Sequence, residues 1–146
     1  MGLAGALEAM SDEALGHLLR ARPDLLHPPP TDFGQLASRA GAWRSVLACL
    51  DRLDRFTLQV IDVLCLLPEP ASAENVLTLL GPPAEGDDVV RALDRLRSRG
   101  LVVIGEGAVR LTGTTRSQHP HPAHLGRPLA TLLAGPHGAR PGDICR

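Results

Sequence analysis

The chain has 146 residues, with 15 basic and 16 acidic side chains and a net charge of −1, so it is not a polycation that binds nucleic acid along its whole length. All the basic side chains are arginines, which excludes a phosphate-binding P-loop lysine and a Schiff-base lysine. Apolar residues make up 44% and aromatic residues 2% of the chain, which is enough for a core of Leu, Val and Ala.

The cysteines and the N-terminal residues bear on the cellular compartment. The three cysteines, Cys49, Cys65 and Cys145, are odd in number and far apart, and the first two lie in apolar helical patterns. Buried, reduced thiols are therefore favoured over a disulfide. Residues 1–10 lack the basic region of a signal peptide, and no apolar stretch is long enough to span a bilayer. We expect a cytoplasmic protein with no membrane association.

Residues 1–53 are predicted to form a helical N-terminal region. Apolar residues recur at helical spacing, and Ser11 and Thr31 stand where N-capping side chains are preferred. The predicted helices are Leu3–Met10, Asp12–Ala21, the stretch from Thr31 through Ala40, and Trp43–Leu53.

Two features of this N-terminal region have alternative interpretations. Pro28–Pro30 favours a stiff, extended spacer between helices, and the alternative is a proline-rich ligand for an aromatic groove of another protein. Trp43, the only tryptophan, is interpreted as a packing anchor in the first turn of its helix rather than as a platform for base stacking.

The strongest pattern in the chain runs through residues 54–112 and begins with a helix that is apolar around most of its circumference. Its apolar positions include Phe56, Val60 and Leu64, so the helix should be central and buried. Asp54 can cap its start, and Pro68 should end it.

Two further capped helices follow in the same unit. Ser72 should cap a helix over Ala73–Leu80, which Gly81 ends. The next helix is predicted over Asp87–Arg99, with Gly100 as the left-handed residue after it. Its packing stripe is expected to consist of Val89, Val90, Leu93 and Leu96.

A short hairpin closes the unit. Leu101–Ile104 is rich in β-branched residues, Gly105–Gly107 supplies a turn, and Ala108–Thr112 alternates apolar with polar side chains. Three helices followed by a hairpin predict a winged helix-turn-helix with the hairpin as its wing. The fold class expected for the chain is therefore mainly α, with a helical N-terminal segment and a small β-hairpin.

Residues 113–146 are predicted to form an irregular, largely disordered tail, with a possible short helix over Leu125–Ala134. His119, His121 and His124 could chelate a metal ion, but the intervening prolines stiffen the segment and no Cys, Asp or Glu lies close by in sequence. We therefore expect no metal site and no cofactor.

The residues predicted to bind DNA lie on the third helix of the winged helix and on or after its wing. In winged-helix DNA readers, the third helix enters the major groove and the wing meets phosphate or the minor groove. Asp87, Asp88 and Asp94 lie among the arginines, so the alternative is a solvated face that neutralises itself through salt bridges. The predicted DNA-binding residues are Arg91, Arg95, Ser98, Arg110 and Arg116.

Three stretches of the chain carry a family resemblance: LLRARPDL at 18–25, PPPTDFGQLASR at 28–39 and LDRLDRFTLQV at 50–60. They resemble the N-terminal region of helicase-associated proteins from high-GC Gram-positive bacteria, over residues 3–133. Those proteins are longer, and their later region resembles part of the XPB-type DNA repair helicase. The resemblance implies an accessory role near DNA, in a chain that we expect to be truncated. No helicase motif is present, so ATPase activity is not implied.

The function expected from these observations is that of a non-enzymatic, helicase-associated winged-helix module that binds DNA or docks onto DNA-processing machinery. The alternatives are a pure protein-interaction module and a DNA-binding domain like that of a transcriptional regulator. The expected partners are DNA, bound weakly and mostly without sequence specificity, or a helicase or other DNA-processing protein. A basic exposed face on Asp87–Arg99 would favour DNA, whereas an apolar exposed patch would favour a protein.

Overall fold

A computed structural model of the chain describes residues 2–118. Over these residues the protein is mainly α-helical with a small two-stranded antiparallel sheet, which confirms the expected fold class. The helices are α1 (Leu3–Glu8), α2 (Asp12–Ala21), α3 (Phe33–Ala40), α4 (Trp43–Leu50), α5 (Arg55–Leu66), α6 (Ala73–Leu80), α7 (Gly86–Ser98) and α8 (Gly113–Gln118), with a 3₁₀ turn at Pro23–Leu26 and strands β1 (Val102–Gly105) and β2 (Ala108–Leu111).

Local side-chain chemistry sets the ends of the winged-helix elements. The Asp54 carboxylate accepts a hydrogen bond from the backbone N–H of Thr57 at 3.2 Å and so caps α5. The Ser72 hydroxyl accepts from the N–H of Asn75, and the Asn75 side chain accepts in return from the N–H of Ser72, both at 3.1 Å. This reciprocal pair satisfies two backbone donors at the start of α6. Gly81 ends α6 with a φ of +66°.

The wing is a tight hairpin that pairs with a third segment. Val102 lies opposite Leu111 and Gly105 opposite Ala108, and the two turn residues have positive φ, +53° at Glu106 and +78° at Gly107. Positive φ at both positions matches the right-handed twist of the flanking strands.

Ala71, in the loop between α5 and α6, forms an isolated antiparallel bridge with Val109 of β2. The Val109 N–H donates to the Ala71 carbonyl at 2.8 Å, and the Ala71 N–H donates back at 3.1 Å. The loop between α5 and α6 therefore pairs with the hairpin through one residue and holds the hairpin against the helices.

The buried apolar residues form two separate clusters. The larger one fills the winged helix and includes Val46, Cys49 and Leu50 from α4. The smaller one consists of Leu7, Leu18, Leu25, Leu36 and Ala40, and it holds α1, α2, the 3₁₀ turn and α3 together. Although the sequence assigned α4 to the N-terminal region, its apolar face therefore packs into the winged-helix core.

The two clusters meet at Arg22, whose side chain is only 1% exposed. Its guanidinium donates to the carbonyl of Ala40 at 2.7 Å, to the Ser45 hydroxyl at 2.7 Å and to the carbonyl of Arg99 at 2.9 Å. The two carbonyls lie at the C-terminal ends of α3 and α7, where a cation is favourable. Close by, Gly100 has a φ of +69° and lies against Leu18.

Several details of the predicted helices differ from the structure. The cap of α3 is Asp32, not Thr31, because the Asp32 carboxylate accepts from the N–H of Gln35 at 2.7 Å. Thr31 instead donates its own N–H to the Gln35 side chain at 2.8 Å. The predicted packing role of Trp43 is wrong: this side chain is 51% exposed, with the Arg44 guanidinium 5.6 Å from the centre of its ring.

Two further expectations are corrected in the C-terminal half. Val90, which the sequence predicts in the packing stripe of α7, is 49% exposed, and Ala92 is buried in the core instead. The predicted irregular tail begins with α8, which packs against α4 and buries Thr115. The possible helix over Leu125–Ala134 and the histidines at 119, 121 and 124 lie outside the described residues.

Within residues 2–118, none of the helices is both long and apolar enough to cross a lipid bilayer.

Candidate interaction surface of the winged helix

The outward face of α7 is where the structure places three of the five predicted DNA-binding residues. Successive helical residues are turned by about 100°, so Asp87, Arg91, Asp94 and Ser98 fall within about 60° of one another. The buried stripe of α7 lies on the opposite side. The centre of the exposed face therefore carries two carboxylates and one guanidinium, which is not the charge of a surface built for phosphates.

Arg91 is exposed but already has an acidic partner. Its guanidinium forms a salt bridge with Asp88, one turn earlier on α7, and the Arg91 side chain is 71% exposed. An exposed pair of this kind contributes little to stability, but it places a negative charge beside the positive one. The electrostatic potential that Arg91 presents to a distant phosphate is correspondingly reduced.

Arg95 forms its salt bridge with the start of α5. Its guanidinium forms a salt bridge with Asp54, the N-cap of α5, and lies 3.4 Å from the Thr57 hydroxyl. Burial raises the pKa of Asp54, but the Thr57 hydrogen bonds and Arg95 outweigh it, so the pKa lies below its ordinary value. Arg95 thus connects the recognition-helix position to the start of the central helix.

Ser98 lies on the same side of α7 as Arg91 and Arg95. Its hydroxyl donates to the backbone carbonyl of Arg95 at 2.8 Å, which is a local bond within the last turn of the helix. The guanidinium of Arg99 donates to the same carbonyl at 3.3 Å.

Arg110 lies on the outer face of the wing. It is exposed and stands opposite Val103 on the neighbouring strand. These two residues, with Pro70 and Ala108, line a shallow cavity of about 520 Å³ on the side of the hairpin away from the core. The position agrees with a wing that could touch a partner.

Arg116 does not join the other four residues. Its guanidinium donates to the carbonyls of Leu64 and Cys65 at 3.1 and 3.0 Å, and to the Glu69 carboxylate at 2.9 Å. Glu69 also accepts from the N–H of Leu111 at 3.2 Å. Arg116 therefore caps the C-terminal end of α5 and fastens it to β2, a role that requires the structured α8 and that the sequence pattern did not indicate.

A groove that the sequence reasoning missed lies where the start of α5, the end of α6 and the start of α7 meet. It has a volume of about 390 Å³ and is lined by Phe56, Gln59, Leu80, Pro83, Ala84 and Asp88. From the sequence, Gly81 predicts only the end of a helix. The residues that follow, up to Ala84, also form a wall of this groove, because the chain turns away from the axis of α6 before α7 begins.

The two described thiols are shielded rather than activated. Burial raises the pKa of Cys49, and it raises the pKa of Cys65 to about 11. A thiol with a raised pKa is a poor nucleophile at neutral pH. Among residues 2–118, no three His, Cys, Asp or Glu side chains come close enough together to hold a metal ion.

Comparisons of this chain with models of protein families, with curated proteins and with solved structures find no match.

Proposed function

We propose that this protein is a non-enzymatic winged-helix module that docks onto a protein of the DNA-processing machinery, an accessory role of the helicase-associated kind. Its partner contacts the outer face of α7 and the adjoining surface of the winged helix. The resemblance of the three stretches between residues 18 and 60 supplies the helicase association, and the charge pattern on α7 supplies the preference for a protein.

The observation that carries this proposal is the charge balance of α7. The helix contains three aspartates and three arginines, and Asp87 and Asp94 stand at the centre of its exposed face. A DNA duplex carries one negative charge per about 1.7 Å of its axis, so carboxylates at the centre of a reading helix would be repelled. A protein surface with both charge signs can satisfy such a face, and exposed Val90 adds an apolar contact beside it.

Binding to a purified XPB-type helicase from a high-GC Gram-positive bacterium tests the proposal. The full chain, titrated in a calorimeter, should bind with a dissociation constant in the micromolar range, about 1–50 µM. The double charge reversal Asp87→Arg/Asp94→Arg should weaken this binding at least tenfold. The charge-matched control Glu8→Arg/Glu13→Arg, on α1 and α2, should leave it unchanged. Absence of binding by the unaltered chain would contradict the helicase as partner.

Direct contact with DNA is the second candidate function, and Arg97 and Arg110 favour it. Both are exposed, and neither forms a salt bridge within residues 2–118. Two unpaired arginines support weak binding without sequence specificity. Loss of DNA binding in Arg97→Glu/Arg110→Glu, with retained binding in Glu8→Arg/Glu13→Arg, would favour this candidate.

The same proposal places the protein in the cytoplasm. It is supported by the free thiols of Cys49 and Cys65, which a reducing compartment keeps unpaired. Fractionation of cells that express the tagged full chain tests this placement.

A further inference from the structure

The groove at the meeting point of α5, α6 and α7 has an apolar floor that the fold leaves uncovered. Phe56 and Leu80 are half-buried, and both border the groove with Pro83 and Ala84. Leu79, the neighbour of Leu80 on α6, is 37% exposed. The walls are formed by the start of α5, the end of α6, the start of α7 and the loop between α6 and α7, and the groove is open at the surface.

Acidic residues adjoin the groove at the entry to α7. Asp88 lines the groove, Glu85 directly follows the lining residue Ala84, and Asp87 directly precedes Asp88; these three acids are called the rim below. Asp88 is paired with Arg91, whereas Glu85 and Asp87 form no salt bridge with any described residue. The rim therefore carries three negative charges against one positive charge.

Acidic residues at the start of a helix usually offset the helix dipole, but that role does not neutralise all the negative charge of the rim. Carboxylates in the first turn of a helix offset the dipole, whose N-terminal end is equivalent to about half a positive charge. Two helices start at the groove and one ends there, so their dipole ends sum to about half a positive charge. Asp54 already caps α5, which leaves the rim acids in excess of the dipoles.

We propose that this groove binds a peptide segment of the partner protein in which an apolar anchor residue is flanked by arginine or lysine. The anchor occupies the space between Phe56, Leu80 and Pro83. The flanking cations meet Glu85 and Asp87, neither of which forms a salt bridge within residues 2–118. This inference rests on the proposed docking function and specifies the chemistry of the partner. It places the contact beside the outer face of α7, at the corner where the helix begins.

The probe for the test is a fluorescein-labelled nine-residue peptide with a central leucine pair flanked by arginines, titrated with the full chain and followed by fluorescence polarisation. Binding with a dissociation constant on the order of 100 µM is expected at low salt. A peptide with alanine in place of both leucines, and one with glutamate in place of the arginines, should each bind at least tenfold more weakly. Failure of the leucine–arginine peptide to bind at about 1 mM would overturn the proposal.

Two variants of the chain locate the site. Ala84→Arg places a long cation at the edge of the groove, and Glu85→Lys/Asp87→Lys reverses the rim; each should reduce peptide binding at least tenfold. Ala48→Arg, the same change at an exposed position on α4, should leave binding unchanged. Equal peptide affinity for Ala84→Arg and Ala48→Arg would overturn the assignment. A thermal melt of each variant shows whether it is folded.

The outcomes separate this inference from the function on which it rests. If the purified helicase binds the chain, and binds Ala84→Arg equally well, docking stands and the groove is not its site. If the unaltered chain binds the peptide, Ala84→Arg does not bind it, and the helicase binds neither, then the groove is a peptide site and the helicase is not the partner.

Discussion

The N-terminal helices and the winged helix are stabilised in different ways. The winged helix has a continuous apolar cluster that runs from α4 through β2. The layer of α1, α2, the 3₁₀ turn and α3 has a cluster of only five buried apolar residues. The two are joined by polar and apolar contacts: the buried guanidinium of Arg22 donates to carbonyls of both parts, and Gly100 lies close to the side chain of Leu18. Apolar burial therefore explains each part, and the Arg22 hydrogen bonds add a directed contact that helps to fix their relative position.

The comparison predicts that the largest single loss of stability comes from the centre of the winged helix. Leu64 is 2% exposed on α5, so Leu64→Ala should lower the free energy of unfolding by about 2–5 kcal/mol. Leu79→Ala, at a position that is 37% exposed on α6, is the matched control and should cost far less. Chemical denaturation measures both, and equal midpoints for the two variants would show that α5 is not central.

Removing the polar link should produce the next largest effect. Arg22→Met leaves the carbonyls of Ala40 and Arg99 buried without their donor, at a cost of about 2–3 kcal/mol. Hydrogen exchange should rise first in α1–α3, because their own cluster is small. Arg20→Met, at an exposed position on α2, is the control. Exchange that rises uniformly in both regions would contradict the idea that Arg22 acts as the link between them.

Gly100 gives a finer test of the same junction. A Cβ at Gly100 would lie 3.3 Å from Leu18 Cδ1, and φ is +69°, so Gly100→Ala should cost about 1–2 kcal/mol through strain and crowding. Gly107 shares a positive φ, +78°, but a Cβ there meets nothing within 4 Å. Gly107→Ala therefore isolates the backbone cost. If the two variants lose equal free energy of unfolding in urea titrations, the close approach of Gly100 to Leu18 does not contribute to stability.

The smallest predicted effect depends on pH and involves the cap of α5. The folded-state pKa of Asp54 lies below its ordinary 3.8, so its contribution is complete above that value and is lost as the pH falls through the lower folded-state pKa. Asp54→Asn keeps a capping side chain and should cost below about 1 kcal/mol at pH 7, since the pair is exposed. The difference from the unaltered chain should shrink on acidification below 3.8.

Asp94→Asn is the surface control for this variant, since Asp94 is exposed on α7 and has no salt bridge within residues 2–118. At pH 7 it should change the free energy of unfolding by less than Asp54→Asn, because it removes neither a helix cap nor a salt bridge. Urea midpoints measured at several pH values test both variants. A constant difference for Asp54→Asn would show that its carboxylate is not held by Thr57 and Arg95.

The sequence predicted the local units of the winged helix because their signals are local. Asp54 and Ser72 cap the helices that follow them, and Gly81 and Gly100 have the left-handed φ expected at helix ends. Caps and turns act within a few residues, so a sequence pattern contains both partners of each interaction.

The contacts between distant residues were not predictable in the same way. Helical periodicity in α4 marks its apolar face but does not specify which cluster receives that face. Nothing in the local sequence distinguishes Arg22 and Arg116 from surface arginines. Each nevertheless donates hydrogen bonds to carbonyls more than fifteen residues away in the chain. The groove at Phe56 and Leu80 likewise depends on how three helix ends meet, which no single stretch encodes.

A salt-dependent titration of the full chain on mixed-sequence duplex DNA tests the central claim most directly. If the outer face of α7 is a protein-docking surface, binding should be weak and the log–log salt slope should stay below about 0.9, the equivalent of one phosphate contact. A slope of about 2 or more, abolished by Arg91→Glu/Arg95→Glu or by Arg97→Glu/Arg110→Glu and retained by Glu8→Arg/Glu13→Arg, would contradict the account and assign this surface to DNA.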